Sequence, residues 1–167
     1  MNTHIIQYQV DADGIATLTL DYPGKTMNVI DQAFMNELDA CIERMKSDDA
    51  VRGGIITSGK DSFVAGADLL SMESNIDAMA EMSLPELLAS CASLSQLLRK
   101  LETFGKPMVA AINGMALGGG YEICLACHWR VAADAPTVLL GLPEVQVGLL
   151  AAAGGTQRLP RMIGIQA

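Results

Sequence analysis

Positive charge and histidine are scarce in this sequence. Its 167 residues hold 11 lysines and arginines against 19 aspartates and glutamates, a formal charge of −8, and only two histidines. An acidic chain has no overall field that draws it to nucleic acid or anionic lipid, so a polyanionic ligand needs a local basic pocket. His4 and His128 are far apart, and Cys124 and Cys127 form a single C-x-x-C pair without a second one. The spacing of a zinc or redox centre is therefore missing, and no metal is expected. The four cysteines, Cys41, Cys91, Cys124 and Cys127, fall in apolar stretches that read as helical, which predicts reduced core thiols in a reducing compartment.

Long uninterrupted apolar runs are also lacking. The best one, from Pro107 to Cys127, is broken by Asn113, a glycine triplet and Glu122, so no membrane span is expected. The opening MNTHIIQYQV has no basic stretch followed by an apolar one, so no secretory signal is expected and the cytoplasm is the predicted compartment, or a matrix if a transit peptide has been removed. No G-x-G-x-x-G fingerprint, no phosphate loop ending in Gly-Lys-Ser/Thr, no fixed-period repeat and no low-complexity linker occurs. The expectation is one domain over 1–167.

What is present is a half-apolar chain, 50% hydrophobic, with clear local patterns. Ile5 to Val10 and Ile15 to Leu20 read as a hairpin around Asp11-Ala12-Asp13-Gly14. A helix follows, with Asp31 as N-cap and Phe34, Leu38, Cys41, Ile42 and Met45 at helical spacing. Gly54 to Thr57 reads as a buried strand and Phe63 to Asp68 as its exit, while Ser71 to Ser83 reads as a partly helical excursion. Leu87, Leu88, Cys91, Leu94, Leu97, Leu98 and Leu101 form the stripe of a core helix from Pro85 to about Leu101. Lys106 to Asn113 is a strand, Gly114 to Gly120 a glycine loop, and Tyr121 to Cys127 a helix. A short extended stretch is expected after Val131, then a loop at Gly141 to Glu144 and a helix from Thr156 to Ile163 opened by Gly154-Gly155. Strands alternating with helices make this an α/β protein.

Two carboxylates and two loops carry the chemical signal. Glycines 118 to 120 at a helix entrance allow close backbone approach and leave free N–H groups, which suit an anion. Glu122 follows in an otherwise apolar helix, and Glu144 lies between Gly141-Leu142-Pro143 and Val145-Gln146-Val147. Burial raises a carboxyl pKa towards the range of proton transfer, and two such acids invite an acid/base pairing. The small residues Ala65-Gly66-Ala67 before Asp68 can expose another N–H, which with Gly119 makes a two-donor oxyanion hole. Taken singly, each of these features also fits simple packing.

Four ordered blocks then resemble the crotonase (enoyl-CoA hydratase/isomerase) superfamily: Phe63 to Leu69, Lys106 to Glu122, Gly141 to Glu144, and Gly154 to Arg161. Ala126 to Val131 and the Gly-Leu-Pro-Glu-Val-Gln form of residues 141–146 resemble, within that superfamily, the N-terminal region of bacterial fatty-acid-oxidation multienzyme α subunits. So does the 22-residue interval between Glu122 and Glu144. The resemblance implies a crotonase-like spiral of repeated β-β-α units. It implies hydration of trans-2-enoyl-CoA to 3-hydroxyacyl-CoA in fatty-acid β-oxidation, with Glu122 and Glu144 catalytic and the Ala67 and Gly119 N–H groups as oxyanion hole. Gly66, Asp68, Gly118, Gly120 and Pro143 would line the substrate. Coenzyme A would enter as the substrate's handle, with no separate cofactor, and Lys25, Lys60 and Arg158 are candidate bases for its phosphates. A homo-oligomer or a complex with a thiolase subunit is implied. The alternatives are a Δ3-Δ2-enoyl-CoA isomerase, or a non-catalytic acyl-CoA-binding or oligomerisation module. Two departures stand out. Residues 151–153 are Ala-Ala-Ala where the family usually has Pro-Gly-x, and the chain stops at Ala167, where family members continue with helices that close the acyl pocket, so the core domain is expected to be truncated at its C-terminal end.

Overall fold

The computed structural model describes residues 3–68 and 76–165. Strands β1 (Ile6–Val10) and β2 (Ile15–Leu20) form the expected antiparallel hairpin. Its turn is tied by the Asp11 carboxylate, which accepts from the N–H groups of Asp13 and Ile15, both at 2.9 Å. Helix α1 (Gln32–Ser47) starts where predicted: the Asp31 side chain accepts from Phe34 N–H at 2.9 Å. Then come β3 (Gly53–Ser58), α2 (Ile76–Ala80), α3 (Leu84–Thr103), β4 (Met108–Ile112), β5 (Ala116–Leu117), α4 (Gly119–Ala126), β6 (Trp129–Ala132) and β7 (Leu140–Gly141). A 3₁₀ turn (Glu144–Val147) and α5 (Gly155–Ile163) complete the chain. Of the excursion read at Ser71 to Ser83, residues 71–75 lie outside the described residues.

The main sheet has the order β1-β2-β3-β4-β6, parallel except for the first pair. Its inner face places Ala16, Leu18, Leu20, Ile56, Met108, Ala110 and Ile112 against Phe34, Leu38, Ile42 and Met45 of α1 and Leu97, Leu98 and Leu101 of α3, all buried. Alternation along β2 and β4 and the 3.6-residue stripe of α1 meet in one dry core.

Each parallel strand of this sheet is followed by a short piece of a second layer. Ile30 follows β2, Val64 to Ala67 follow β3, β5 follows β4, and β7 follows β6. Ile30 pairs with Ala67, Val64 with Ala116, and β5 with β7, all in parallel. After each piece the chain returns through helix. This is the expected crotonase-like spiral of β-β-α units, and it brings the exits of three successive turns side by side.

Two local expectations change. The extended stretch placed after Val131 is the strand Trp129–Ala132, which begins earlier, directly after the α4 helix. The stripe on α3 is buried only in its C-terminal half: Leu84 and Leu88 are exposed, as is Cys91, which is therefore no core thiol. The buried positions of this 20-residue helix, Leu97, Leu98 and Leu101, all fall in its last turns, which pack against α1 and α4. The other cysteines are half-buried (Cys41) or buried (Cys124, Cys127). Burial pushes the Cys41 thiol up to about 11 and that of Cys127 to about 12, and also raises Cys124, so these thiols stay protonated and unreactive. No helix of the described residues is long and apolar enough to cross a membrane.

Candidate active site

Three second-layer segments build the site, and backbone hydrogen bonds set their order. Leu117 N–H donates to the Val64 carbonyl at 3.1 Å, and Gly118 N–H to the Gly141 carbonyl at 2.9 Å. Residues 64–68, 116–120 and 140–144 therefore leave the layer at one edge, where parallel strands end and ligands of α/β proteins commonly bind.

The predicted oxyanion donors are brought to the same place. On one side of the segment at Ala67, Ile30 N–H donates to the Gly66 carbonyl and Asp68 N–H to the Ile30 carbonyl, which turns the intervening Ala67 N–H away from the Ile30 backbone. Gly119 opens α4, so its N–H belongs to the first helical turn. Among the described residues neither N–H has a backbone acceptor. Ile30 links the two: it pairs with Ala67, and a Cβ on Gly119 would lie 2.9 Å from Ile30 Cδ1.

The glycines of this loop have separable reasons. Gly118 has φ +54, and a Cβ there would lie 3.0 Å from Glu144 Oε1, so this glycine makes room for the carboxylate. Gly66, with φ +112, passes close to the Leu117 carbonyl. Gly120 is buried, and its Cβ would sit 2.3 Å from the Val64 carbonyl oxygen, so close helix-to-strand packing accounts for it. Pro143 caps the 3₁₀ turn that carries Glu144.

Glu122 is 2% exposed, one turn into α4, and its Oε1 accepts the Gly155 N–H at 2.7 Å. That N–H is the first of α5, so the carboxylate meets the positive end of a helix. Burial pushes the Glu122 carboxyl above its ordinary range; the Gly155 N–H opposes this, and the nearby Glu144 charge adds to it. Glu144 is half-buried, and its Oε2 is enclosed without a hydrogen-bond partner among the described residues. A buried carboxylate oxygen left unsatisfied is costly and marks a place built for something other than stability.

The remaining candidates are already engaged. Asp68 pairs with Lys25 at 2.5 Å. Lys60 pairs with Asp21 at 2.9 Å and donates to the Lys25 carbonyl. Arg158 pairs with Glu102 at 3.1 Å. Sequence reasoning missed Asn28, which is fully buried. Its side chain donates to the Leu20 and Phe63 carbonyls and to Ser58 Oγ, and accepts from Tyr22 N–H. Its backbone carbonyl receives Ala65 N–H at 2.9 Å, so the residue ties the Ala65-Gly66-Ala67 segment to the β2 and β3 ends. A lone asparagine in a loop gives no sequence signal for this role.

Known proteins share this chain's sequence pattern and its fold. The profile of a family described as enoyl-CoA hydratase/isomerase matches residues 11–167. A fatty acid oxidation complex subunit alpha from Shewanella amazonensis is 48% identical over 154 residues, covering 92% of this chain and 21% of that protein. The crystal structure of an enoyl-CoA hydratase from Geobacillus kaustophilus superposes with a TM-score of 0.85 at 30% identity, covering 99% of this chain and 59% of that one. An enoyl-CoA hydratase from Bacillus anthracis gives 0.79 at 31% identity, over 97% and 59%. The chain thus spans about a fifth of the length of the curated relatives and under two thirds of these solved structures.

Proposed function

Because this chain belongs to the enoyl-CoA hydratase/isomerase family, we propose that it adds water syn across the double bond of a trans-2-enoyl-CoA, giving a 3-hydroxyacyl-CoA. The observation that carries this reading is the pair of carboxylates at one edge of the second layer, one held by Gly155 N–H and the other with a buried unsatisfied oxygen. The thioester oxygen lies between the Ala67 and Gly119 N–H groups. Donors fixed there act on the negative charge that grows as the enolate forms. Glu122, ionised, takes a proton from water as the oxygen bonds to Cβ; the π electrons move to the thioester oxygen. Glu144 delivers the proton that Cα takes up as the enolate collapses. A base with a raised pKa is better matched to this transfer than an ordinary carboxylate.

The substrate's coenzyme A is then the only cofactor-like group, and no metal or redox step enters. Gly66, Asp68, Gly118, Gly120 and Pro143 are the proposed lining of the substrate site. The S. amazonensis relative is a subunit of a fatty acid oxidation complex. A place in β-oxidation follows for this chain, in the cytoplasm, in a homo-oligomer or beside a thiolase subunit. The test is the loss of absorbance of the conjugated enoyl thioester when crotonyl-CoA or a longer 2-enoyl-CoA is added. Turnover abolished by Glu144→Gln supports hydration. Double-bond migration that survives Glu122→Gln overturns it in favour of an isomerase, and tight CoA-ester binding without product favours a binding module.

A further inference from the structure

Arg158 takes no part in the proposed reaction, yet its side chain is only 12% exposed and reaches in two directions. Nε and Nη2 donate to Glu102, on the last turn of α3, at 3.4 and 3.1 Å. Nη1 donates to the Ala153 carbonyl at 3.0 Å. Between these anchors lies Gly154, with φ +109, where a Cβ would meet Nη1 at 2.2 Å. The guanidinium therefore occupies the space over the turn 153–155, and only glycine leaves room for it. The next residue, Gly155, donates the N–H that holds Glu122.

We propose that Arg158 is a positioning residue: anchored on Glu102, it fixes the Ala153-Gly154-Gly155 turn so that the Gly155 N–H stays on the Glu122 carboxylate. Glu102 is suited to be the anchor, since its carboxyl is held below its ordinary range first by Arg158 and also by Arg99, which donates to it at 2.8 Å. The planar fork matters, because a lysine ammonium is a point charge and does not span Glu102 and the Ala153 carbonyl as a fork does. The same turn carries Ala151-Ala152-Ala153 where the resemblance leads one to expect proline and glycine. An external clamp supplies stiffness that proline otherwise contributes through its fixed φ.

The groups facing Glu122 are the Gly155 and Ala153 N–H groups, Glu144 from the 3₁₀ turn and Arg158 from α5. The two N–H groups and Arg158 favour the ionised form; burial and Glu144 oppose it. Loosening the turn removes favourable contributions and leaves the unfavourable ones. Glu122 then titrates at higher pH, and a hydratase that needs it ionised loses the acid side of its pH profile. That kinetic consequence rests on the proposed function; the geometric one does not. If Arg158 merely staples α5 to α3, its loss lowers stability and leaves Glu122 unchanged.

The experiment measures Gly155 amide exchange and the titration of the Glu122 side-chain carbon by NMR, assigned with Glu122→Gln, in the wild type, Arg158→Met and Arg158→Lys. In Arg158→Met, exchange at Gly155 is expected to rise about tenfold relative to α1 amides, as for loss of one charge-assisted hydrogen bond, and Glu122 to titrate at higher pH. Arg158→Lys is expected to shift both in the same direction by less, and it carries the test alone if the methionine variant does not fold. In the hydration assay kcat falls at fixed pH with KM nearly unchanged, and the acid limb moves up. Wild-type Gly155 exchange and Glu122 titration in folded Arg158→Lys overturn the proposal. Neither NMR readout needs turnover, so an inactive wild type sinks only the hydratase reading, while unchanged spectra in an active protein sink only the clamp.

Discussion

Asn28 and Glu144 are both polar side chains inside the molecule, and their surroundings differ in kind. Every polar atom of the Asn28 amide has a partner, drawn from Leu20, Tyr22, Ser58 and Phe63. Glu144 has an enclosed oxygen with none among the described residues. A satisfied buried group holds a structure in one arrangement, whereas an unsatisfied carboxylate weakens it and is retained for reactivity. Asn28, between the ends of β2 and β3, follows the first principle. Glu144, on the 3₁₀ turn beside the entrance of α4, follows the second.

Substitution should separate the two regions, beginning where the effect is largest. Glu144→Gln and Glu122→Gln are each expected to lower the hydration rate roughly 10²- to 10⁴-fold, with far-ultraviolet circular dichroism close to wild type and a urea midpoint no lower. A matched loss of stability would mean that these carboxylates hold the fold as Asn28 does. Asn28→Ala is expected to do the converse. It leaves several buried groups unpaired at about 1–3 kcal/mol each, so a loss of about 3 kcal/mol or more in urea unfolding should result.

The pH dependence of stability sharpens the contrast. Burial raises the folded-state pKa of Glu122 above its ordinary 4.5, so between 4.5 and the raised value the folded protein binds more protons than the unfolded chain. Stability therefore falls as pH rises through that window. Glu122→Gln removes this dependence. Urea titrations at a pH below and a pH above the window should show the variant gaining on the wild type at the higher pH while it remains inactive. The smallest effect is reserved for a residue close to Asn28 in sequence that acts only locally. Asp31→Ala removes the α1 cap and the acceptor of Tyr22 O–H, and should cost about 0.5–2 kcal/mol with turnover little changed.

Much of the fold was legible because its causes are local. The alternation Ile15 to Leu20, the Asp31 cap and the stripe Phe34-Leu38-Ile42-Met45 each lie within one element, and each gave its element nearly to the residue. Glu122 and Glu144 were legible for another reason: an acid in an apolar segment stands out against its neighbours. The two-residue strands β5 and β7 were not legible, since two residues show no period. Nor was the exposure of Cys91, because it depends on which part of α3 meets elements distant in sequence. Arg158 read as a candidate phosphate base and is instead paired with Glu102, 56 positions away.

The amino-acid sequence by itself determined the class of elements, their order and the two carboxylates, because periodicity, capping and burial of apolar residues act over a few neighbouring positions. The tertiary structure alone decided which exits meet. Pairing of Ile30 with Ala67, Val64 with Ala116 and β5 with β7 brings residues 64–68, 116–120 and 140–144 to one edge of the second layer. The turn at Gly154 sets a helix N-terminus on Glu122. Those contacts join residues tens of positions apart through a few backbone hydrogen bonds each, and only the closed spiral determines which of the possible pairings form.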